Sequence, residues 1–137
     1  MSTTANKFNS FVQDLAHKEH DLETDQIKIA LTNVAPSATN TVLTDLTEIT
    51  YTNLSTRDIT TTSSGQTSGV YKLVLTNISL TSTGGSTGPF RYIVLYNDTA
   101  TSDKLIAWYD YGSALTLQDG EALVVAFDGT DGAISIT

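Results

Sequence analysis

The chain contains no cysteine, one methionine, one tryptophan and two prolines among its 137 residues. Without cysteine it can form no disulfide framework, thiol nucleophile or thiolate metal site. The chain has only seven lysines and arginines but fifteen aspartates and glutamates, which gives a formal net charge of -8. The basic residues are spread along the chain. We therefore expect neither nucleic acid nor an anionic membrane as a partner, because both require clustered positive charge.

Long apolar runs are missing as well. No stretch reaches the ~18 consecutive apolar residues of a transmembrane helix, and residues 1–20 lack the apolar segment of a secretory signal. A chain of this length is expected to form one domain around one core. We divide it into an N-terminal helical arm at residues 1–22 and a single β-sandwich or jelly-roll domain at residues 23–137.

One segment has the periodicity of an amphipathic helix. Between residues 6 and 20 the apolar side chains recur at helical spacing, at Phe8, Phe11, Val12 and Leu15. We predict a helix here, capped by Asn6 or a nearby threonine. Its apolar stripe must lie against the sheet or against a neighbouring subunit, so these four residues are candidate interface residues.

The rest of the chain has strand patterns. Residues 26–33 alternate apolar and polar side chains, as expected of a half-buried strand. The Thr-rich segment 57–63, which begins at Arg57, predicts an edge strand that could contact another chain. Turn residues separate further predicted strands at 70–76, 78–82, 89–97, 104–112, 114–117, 121–128 and 133–137. The fold class predicted is mainly β, a β-sandwich or jelly-roll of about six to eight short antiparallel strands with one N-terminal amphipathic helix.

Aromatic residues are concentrated in "GPFRYIVLYND" (88–98) and "KLIAWYDYG" (104–112). Simple alternation places Phe90 and Tyr92 on one face, yet both faces of both segments are largely apolar. The two segments therefore predict a central hairpin, covered on one side by the opposite sheet and on the other by the helix or another subunit. Tyr92 and Trp108 are candidate interface residues on this basis. In an alternative interpretation, Trp108 is a sugar-binding platform with Arg91, Asn97 and Asp110 beside it.

Three motifs could carry chemistry, but each has a simpler interpretation. In "HKEH", His17 and His20 share a helical face, but zinc helices use a different spacing, so a solvated helix end is favoured. "FDGTDG" at 127–132 is an incomplete calcium loop and is more typical of a hairpin turn. "TGGSTGP" at 83–89 lacks the lysine of a phosphate loop. We predict no catalytic, cofactor or metal residues, and a protein that is not an enzyme.

Several segments together resemble a family of small virion proteins of tailed bacteriophages. The resemblance covers nearly the whole chain, through the start "F-x-x-F-V-x-D-L-A" at Phe8–Ala16 and the segments "ALTNVAPSATNTVLTDLTEITYTN", "RDITTTSSGQTSGVYKLVL", "GPFRYIVLYND" and "WYDYG". It implies a decoration or cement protein that is made in the bacterial cytoplasm and binds the major capsid protein on the virion surface. It also implies self-association as a homotrimer. A glycan-binding virion module and a subunit of a tail or neck ring are the alternatives.

Overall fold

The structure, a computed structural model, describes residues 5–137. These residues form ten strands, one α-helix and one 3₁₀ turn: β1 Asn6–Lys7, α1 Ser10–Ala16, β2 Ile27–Thr32, the 3₁₀ turn Leu43–Asp45, β3 Asp58–Ile59, β4 Thr61–Thr67, β5 Val70–Leu75, β6 Ile78–Thr81, β7 Thr87–Asn97, β8 Lys104–Leu117, β9 Ala122–Val125 and β10 Ile134–Ile136. No helix among residues 5–137 is long and apolar enough to cross a membrane.

The strands form three antiparallel sheets. One sheet has the order β1-β8-β7-β2-β3, a second has the order β10-β5-β4, and β6 pairs with β9 in a third. The prediction of a mainly β, sandwich-like fold with one N-terminal helix is confirmed. The predicted strands at 104–112 and 114–117 are a single strand, because β8 runs unbroken from Lys104 to Leu117.

The larger core lies between the five-stranded sheet and the two smaller sheets. Buried side chains of the large sheet meet those of β5, β6 and β9 in one cluster, which includes Ile29, Ile93, Leu73, Leu80 and Val125. Each of these side chains is at most 1% exposed. Removing this apolar surface from water is the main stabilising contribution to the fold.

The opposite face of the large sheet is also apolar, and the chain covers it itself. A second cluster there contains Phe8, Ala30, Val94, Tyr96 and Leu105, with Leu43, Leu46 and Trp108 packed against it. The 3₁₀ turn lies over this face because its flanks bond to the rim of β8: the Leu43 amide donates to the Asp103 carbonyl and the Leu105 amide to the Thr41 carbonyl. The predicted central hairpin is therefore covered on both faces, and the second cover comes from Phe8 and the 3₁₀ turn.

The helix is shorter than predicted. It spans seven residues, Ser10–Ala16, instead of residues 6–20. At its start, Asn6 and Lys7 extend the large sheet by pairing with Trp108 and Ala107 of β8. At its end, Lys18 adopts a φ of 66°, which an α-helix does not allow. The predicted cap was wrong, because Asn9 occupies the N-cap position and its side chain makes no capping bond.

The β7–β8 pairing has three register shifts, and two of them bear on the predicted alternation. Between Phe90 and Tyr92 the register with β8 shifts, and Phe90 packs in the larger core instead of sharing a face with Tyr92. A second shift lies between Leu95 and Tyr96, opposite Ile106. A β-bulge gives one strand of a pair an extra residue and disrupts the ladder locally. Simple alternation therefore assigns Phe90 to the wrong face.

Candidate functional site

The N-terminal candidate residues divide between core and surface. Phe8 is 0% and Phe11 is 1% exposed, whereas Val12 is 52% exposed. The Phe8 ring packs on Trp108 with ring centroids 4.6 Å apart, and the Phe11 ring packs on His20 at 5.3 Å. Phe8 and Phe11 therefore contact their own chain, and neither side chain offers surface to a partner in this conformation. Val12 does offer surface, and Leu15 is half-buried beside the core.

Arg57 is engaged within its own chain. Its guanidinium lies over the Tyr51 ring, 3.7 Å from the centroid. Its Nη1 donates a 2.6 Å hydrogen bond to the Ile29 carbonyl. The Tyr51 hydroxyl in turn donates to Glu48 and contacts the backbone of Leu31. Arg57 thus joins the chain before β3 to the large sheet through one stacking contact and one hydrogen bond.

The residues of the proposed sugar platform do not converge on one site. Arg91 forms a bidentate ion pair with Asp110, at 2.8 and 3.0 Å. This pair raises the pKa of Arg91 and lowers the pKa of Asp110. Trp108 is half-buried against Phe8, while Asn97 is fully buried at the last position of β7. Arg91 and Asp110 satisfy each other, and the buried Asn97 amide is already bonded to His20 and Asp25.

A substitution at Trp108 separates the packing role from the sugar role. We expect Trp108→Ala to lower the free energy of unfolding by about 2 to 3 kcal/mol, somewhat below the cost for a fully buried aromatic residue. Tyr111→Ala is the matched control, because Tyr111 is 40% exposed on the same strand. It should cost about 0.5 kcal/mol or less. Urea denaturation measures both values, and an unchanged midpoint for Trp108→Ala would contradict the packing role.

The two histidines of "HKEH" lie in different environments. His17 is exposed, whereas His20 is 6% exposed. The Asn97 side-chain oxygen accepts backbone bonds from Thr99 and Ala100, which fixes the orientation of that amide. The Asn97 nitrogen lies 3.0 Å from His20 Nδ1. Because this nitrogen can only donate, Nδ1 is the acceptor and the imidazole proton is on Nε2.

The surroundings of His20 favour the neutral imidazole. Burial lowers the pKa of His20, and the charge of Lys104 acts in the same direction. The carboxylates of Asp14, Asp25 and Glu19 oppose this shift without cancelling it. The Asn97 nitrogen also donates to Asp25 at 2.7 Å. This network ties the segment after the helix to the end of β7, and its role in the fold is structural.

The neutral His20 makes a pH prediction possible. The unfolded chain binds a proton at this imidazole near pH 6.5 and the folded chain only at a lower pH, so the free energy of unfolding should fall as the pH drops below 6.5. One proton contributes at most about 1.4 kcal/mol per pH unit. His20→Gln should flatten the pH dependence between pH 7.5 and 5.5, and His17→Gln, the exposed control, should leave it unchanged. Urea midpoints measure the slopes, and equal slopes for all three proteins would contradict the prediction.

In the remaining two motifs, aspartate side chains accept hydrogen bonds from backbone amides. In "FDGTDG", Asp128 Oδ1 accepts the backbone amides of Thr130 and Asp131 at 2.8 and 2.9 Å, and these bonds hold the pKa of Asp128 below its usual value. In "TGGSTGP", the Gly84 amide donates to Asp119. The turn predicted at "FDGTDG" is confirmed, but the predicted hairpin is wrong, because β9 pairs with β6 and β10 pairs with β5. Within residues 5–137, no three His, Cys, Asp or Glu side chains are placed to hold a metal ion.

A cavity not anticipated from the sequence lies between the segment after the helix and the three-stranded sheet. Its volume is about 540 Å³, and its lining combines apolar and charged side chains: Leu15, Lys18, His20, Asp21, Leu22, Glu23, Ser64, Tyr71 and Ile136. This volume is typical of small-molecule sites. Its charged groups have both signs, and the Asp21 carboxylate accepts the backbone amides of Glu23 and Thr24. The lining therefore does not select one class of ligand.

The feature best suited to contact another chain is the free edge of the three-stranded sheet. Strand β4 pairs only with β5, so its other side has no strand partner among the described residues. Its sequence, "TTSSGQT", has neither a charged residue nor proline, and five of its seven residues are exposed. The predicted edge strand at 57–63 thus corresponds to β3 and the start of β4. The free edge of β4 continues beyond the predicted segment, to Thr67.

Comparisons with known proteins do not assign this chain to a family. No protein-family model, curated protein or solved structure matches it.

Proposed function

We propose that this chain is a non-catalytic structural subunit of a tailed-bacteriophage particle. In this proposal it is a decoration protein that binds the major capsid protein on the outside of the head and stabilises the shell. The family resemblance of Phe8–Ala16 and of the segments that follow supplies the phage assignment. The single structural observation that supports an assembly role is the exposed, uncharged edge of β4.

An unprotected edge is unusual for a protein that works alone. Natural sheets block their edges with charges, proline or very short strands, because free N–H and C=O groups recruit other strands. Both edges of the large sheet follow this rule: β1 and β3 have two residues each, and they carry Lys7 and Asp58. The Asp58 carboxylate also forms an ion pair with the Lys28 ammonium, with Nζ and Oδ1 3.6 Å apart. An edge left open over seven residues at β4 therefore favours strand addition as a binding mode.

The remaining surface suits an assembly that uses many weak contacts. Large apolar side chains are exposed at Val12, Val34, Tyr111, Val124 and Ile136, and the net charge of -8 opposes unspecific association. A regular shell presents many equivalent sites, and linked copies gain avidity from modest individual contacts. The homotrimer implied by the resemblance stays a prediction.

Quantitative mass spectrometry of purified virions tests the proposal. In particles of the phage that carries this gene, we expect the chain in numbers comparable with the major capsid protein. About 6 or 12 copies per particle would instead identify a tail or neck ring, since such rings are cyclic assemblies. Absence from purified virions would overturn the virion assignment. The glycan-binding alternative predicts retention on a glycan array that Trp108→Ala abolishes.

A further inference from the structure

The partner that fits β4 can be identified from the strand itself. Its pairing with β5 shifts between Thr61 and Ser63 and is then regular to Thr67. The far edge of the same sheet is β10, which has only three residues. Among the strands at sheet edges in residues 5–137, β4 is thus the longest, and it has a regular stretch of edge in which to pair.

The sequence of β4 is compatible with its own antiparallel copy. With a two-fold axis at Ser64, Thr61 faces Thr67, Thr62 faces Gln66, and Ser63 faces Gly65 of the second copy. All of these pairs are uncharged and none is bulky. Cross-strand Thr and Ser pairs add modest stability, whereas like charges directly opposite each other would destabilise the pair. Antiparallel pairing is also what two-fold symmetry requires of a strand that meets itself.

Charge further restricts where two copies can meet. Each copy has a net charge of -8, so a face rich in carboxylates would repel its equivalent. Strand β4 carries no charge. On its neighbour β5, the Lys72 ammonium donates to the Thr130 carbonyl at 3.0 Å and lies 4.0 Å from Asp131. The one cation on β5 therefore has an acidic group beside it, and the edge of β4 adds no repulsion.

We propose that β4 pairs with β4 of a second copy of this chain, in an antiparallel arrangement that joins two three-stranded sheets into one of six strands. This proposal deepens the assembly role proposed above and rests on it. The pairing closes as a dimer, unlike the homotrimer implied by the resemblance. A trimer would need a heterologous contact, such as β4 against the three-residue β10.

Light scattering after size exclusion of the full-length chain tests this pairing. We expect a molar mass of twice 14.7 kDa. Ser63→Lys/Gly65→Lys places lysine opposite lysine twice across the axis, and should weaken dimerisation by at least about 100-fold. The Gly65 position has room, because an added Cβ there meets no atom within 4 Å. Thr44→Lys/Thr47→Lys adds the same charge at exposed positions outside β4 and should remain dimeric.

A second variant tests the register. Ser63→Lys/Gly65→Glu sets lysine opposite glutamate across the same axis, so we expect a dimer from this protein. A wild-type monomer or trimer, or a dimer unaffected by Ser63→Lys/Gly65→Lys, would overturn the self-pairing. If the wild type is monomeric but still binds phage heads through the same edge, self-pairing fails while the decoration role stands. Circular dichroism melting of each variant verifies that it is folded.

Discussion

Phe11→Ala is expected to lower the free energy of unfolding by about 3 to 5 kcal/mol, the usual cost of truncating a buried phenylalanine. The Phe11 ring is 1% exposed and contacts the larger core and His20. Since small domains are stable by about 5 to 15 kcal/mol in total, this loss is a large fraction of the whole. Urea denaturation followed by tryptophan fluorescence measures it.

The neighbouring residue is the matched control. Val12 lies on the same helix but is 52% exposed, so Val12→Ala should change stability by about 0.5 kcal/mol or less. If instead the first 22 residues were a separable arm, both substitutions would leave the midpoint unchanged. The burial of Phe8, Phe11 and Leu22 leads us to expect that removing this arm unfolds the sheets.

Gly88→Ala is expected to destabilise the protein by about 2 to 4 kcal/mol, through backbone strain and overpacking together. Gly88 has a φ of +130°, a conformation that L side chains rarely adopt, and an added Cβ would lie 2.8 Å from the Leu115 carbonyl oxygen and 2.9 Å from Thr116 Cα. Both contacts are with the backbone of β8, which cannot move aside as a flexible side chain would.

Gly65→Ala controls for the loss of a glycine as such. An added Cβ at Gly65 meets no atom within 4 Å, and Gly65 has no positive φ. Its substitution should be neutral or slightly stabilising, because alanine restricts the unfolded chain. Thermal melts of the two variants measure the contrast, and a Gly88→Ala protein as stable as the Gly65→Ala protein would show that β8 accommodates the extra atom.

The fold class followed from local patterns because strand alternation and turn residues are properties of neighbouring residues. The predictions that were wrong depend on contacts between residues far apart in the chain. Asn6 pairs with Trp108 as a strand and so shortens the predicted helix. The register shift beside Phe90 arises from pairing with β8 and is invisible in the alternation of β7 alone.

The candidate site was harder to predict, for a related reason. An apolar stripe shows that a surface will be buried, but it does not show which chain buries it. Phe8 and Phe11 were therefore predicted as interface residues, although the same chain covers them. The His20–Asn97 bond joins residues 77 positions apart, so no local sequence pattern predicts it. The edge strand predicted at 57–63 includes the start of β4, because threonine content is a local property, but the free edge continues to Thr67.

Adding the purified chain to phage heads that lack it tests the decoration role most directly. The measurement is the temperature at which the heads rupture and release DNA, recorded with and without saturating protein. We predict that the wild-type chain sediments with the heads and raises the rupture temperature, since a ligand that binds only the intact shell stabilises it. Heads that rupture at the same temperature, with no chain in the pellet, would contradict a role in stabilising the shell.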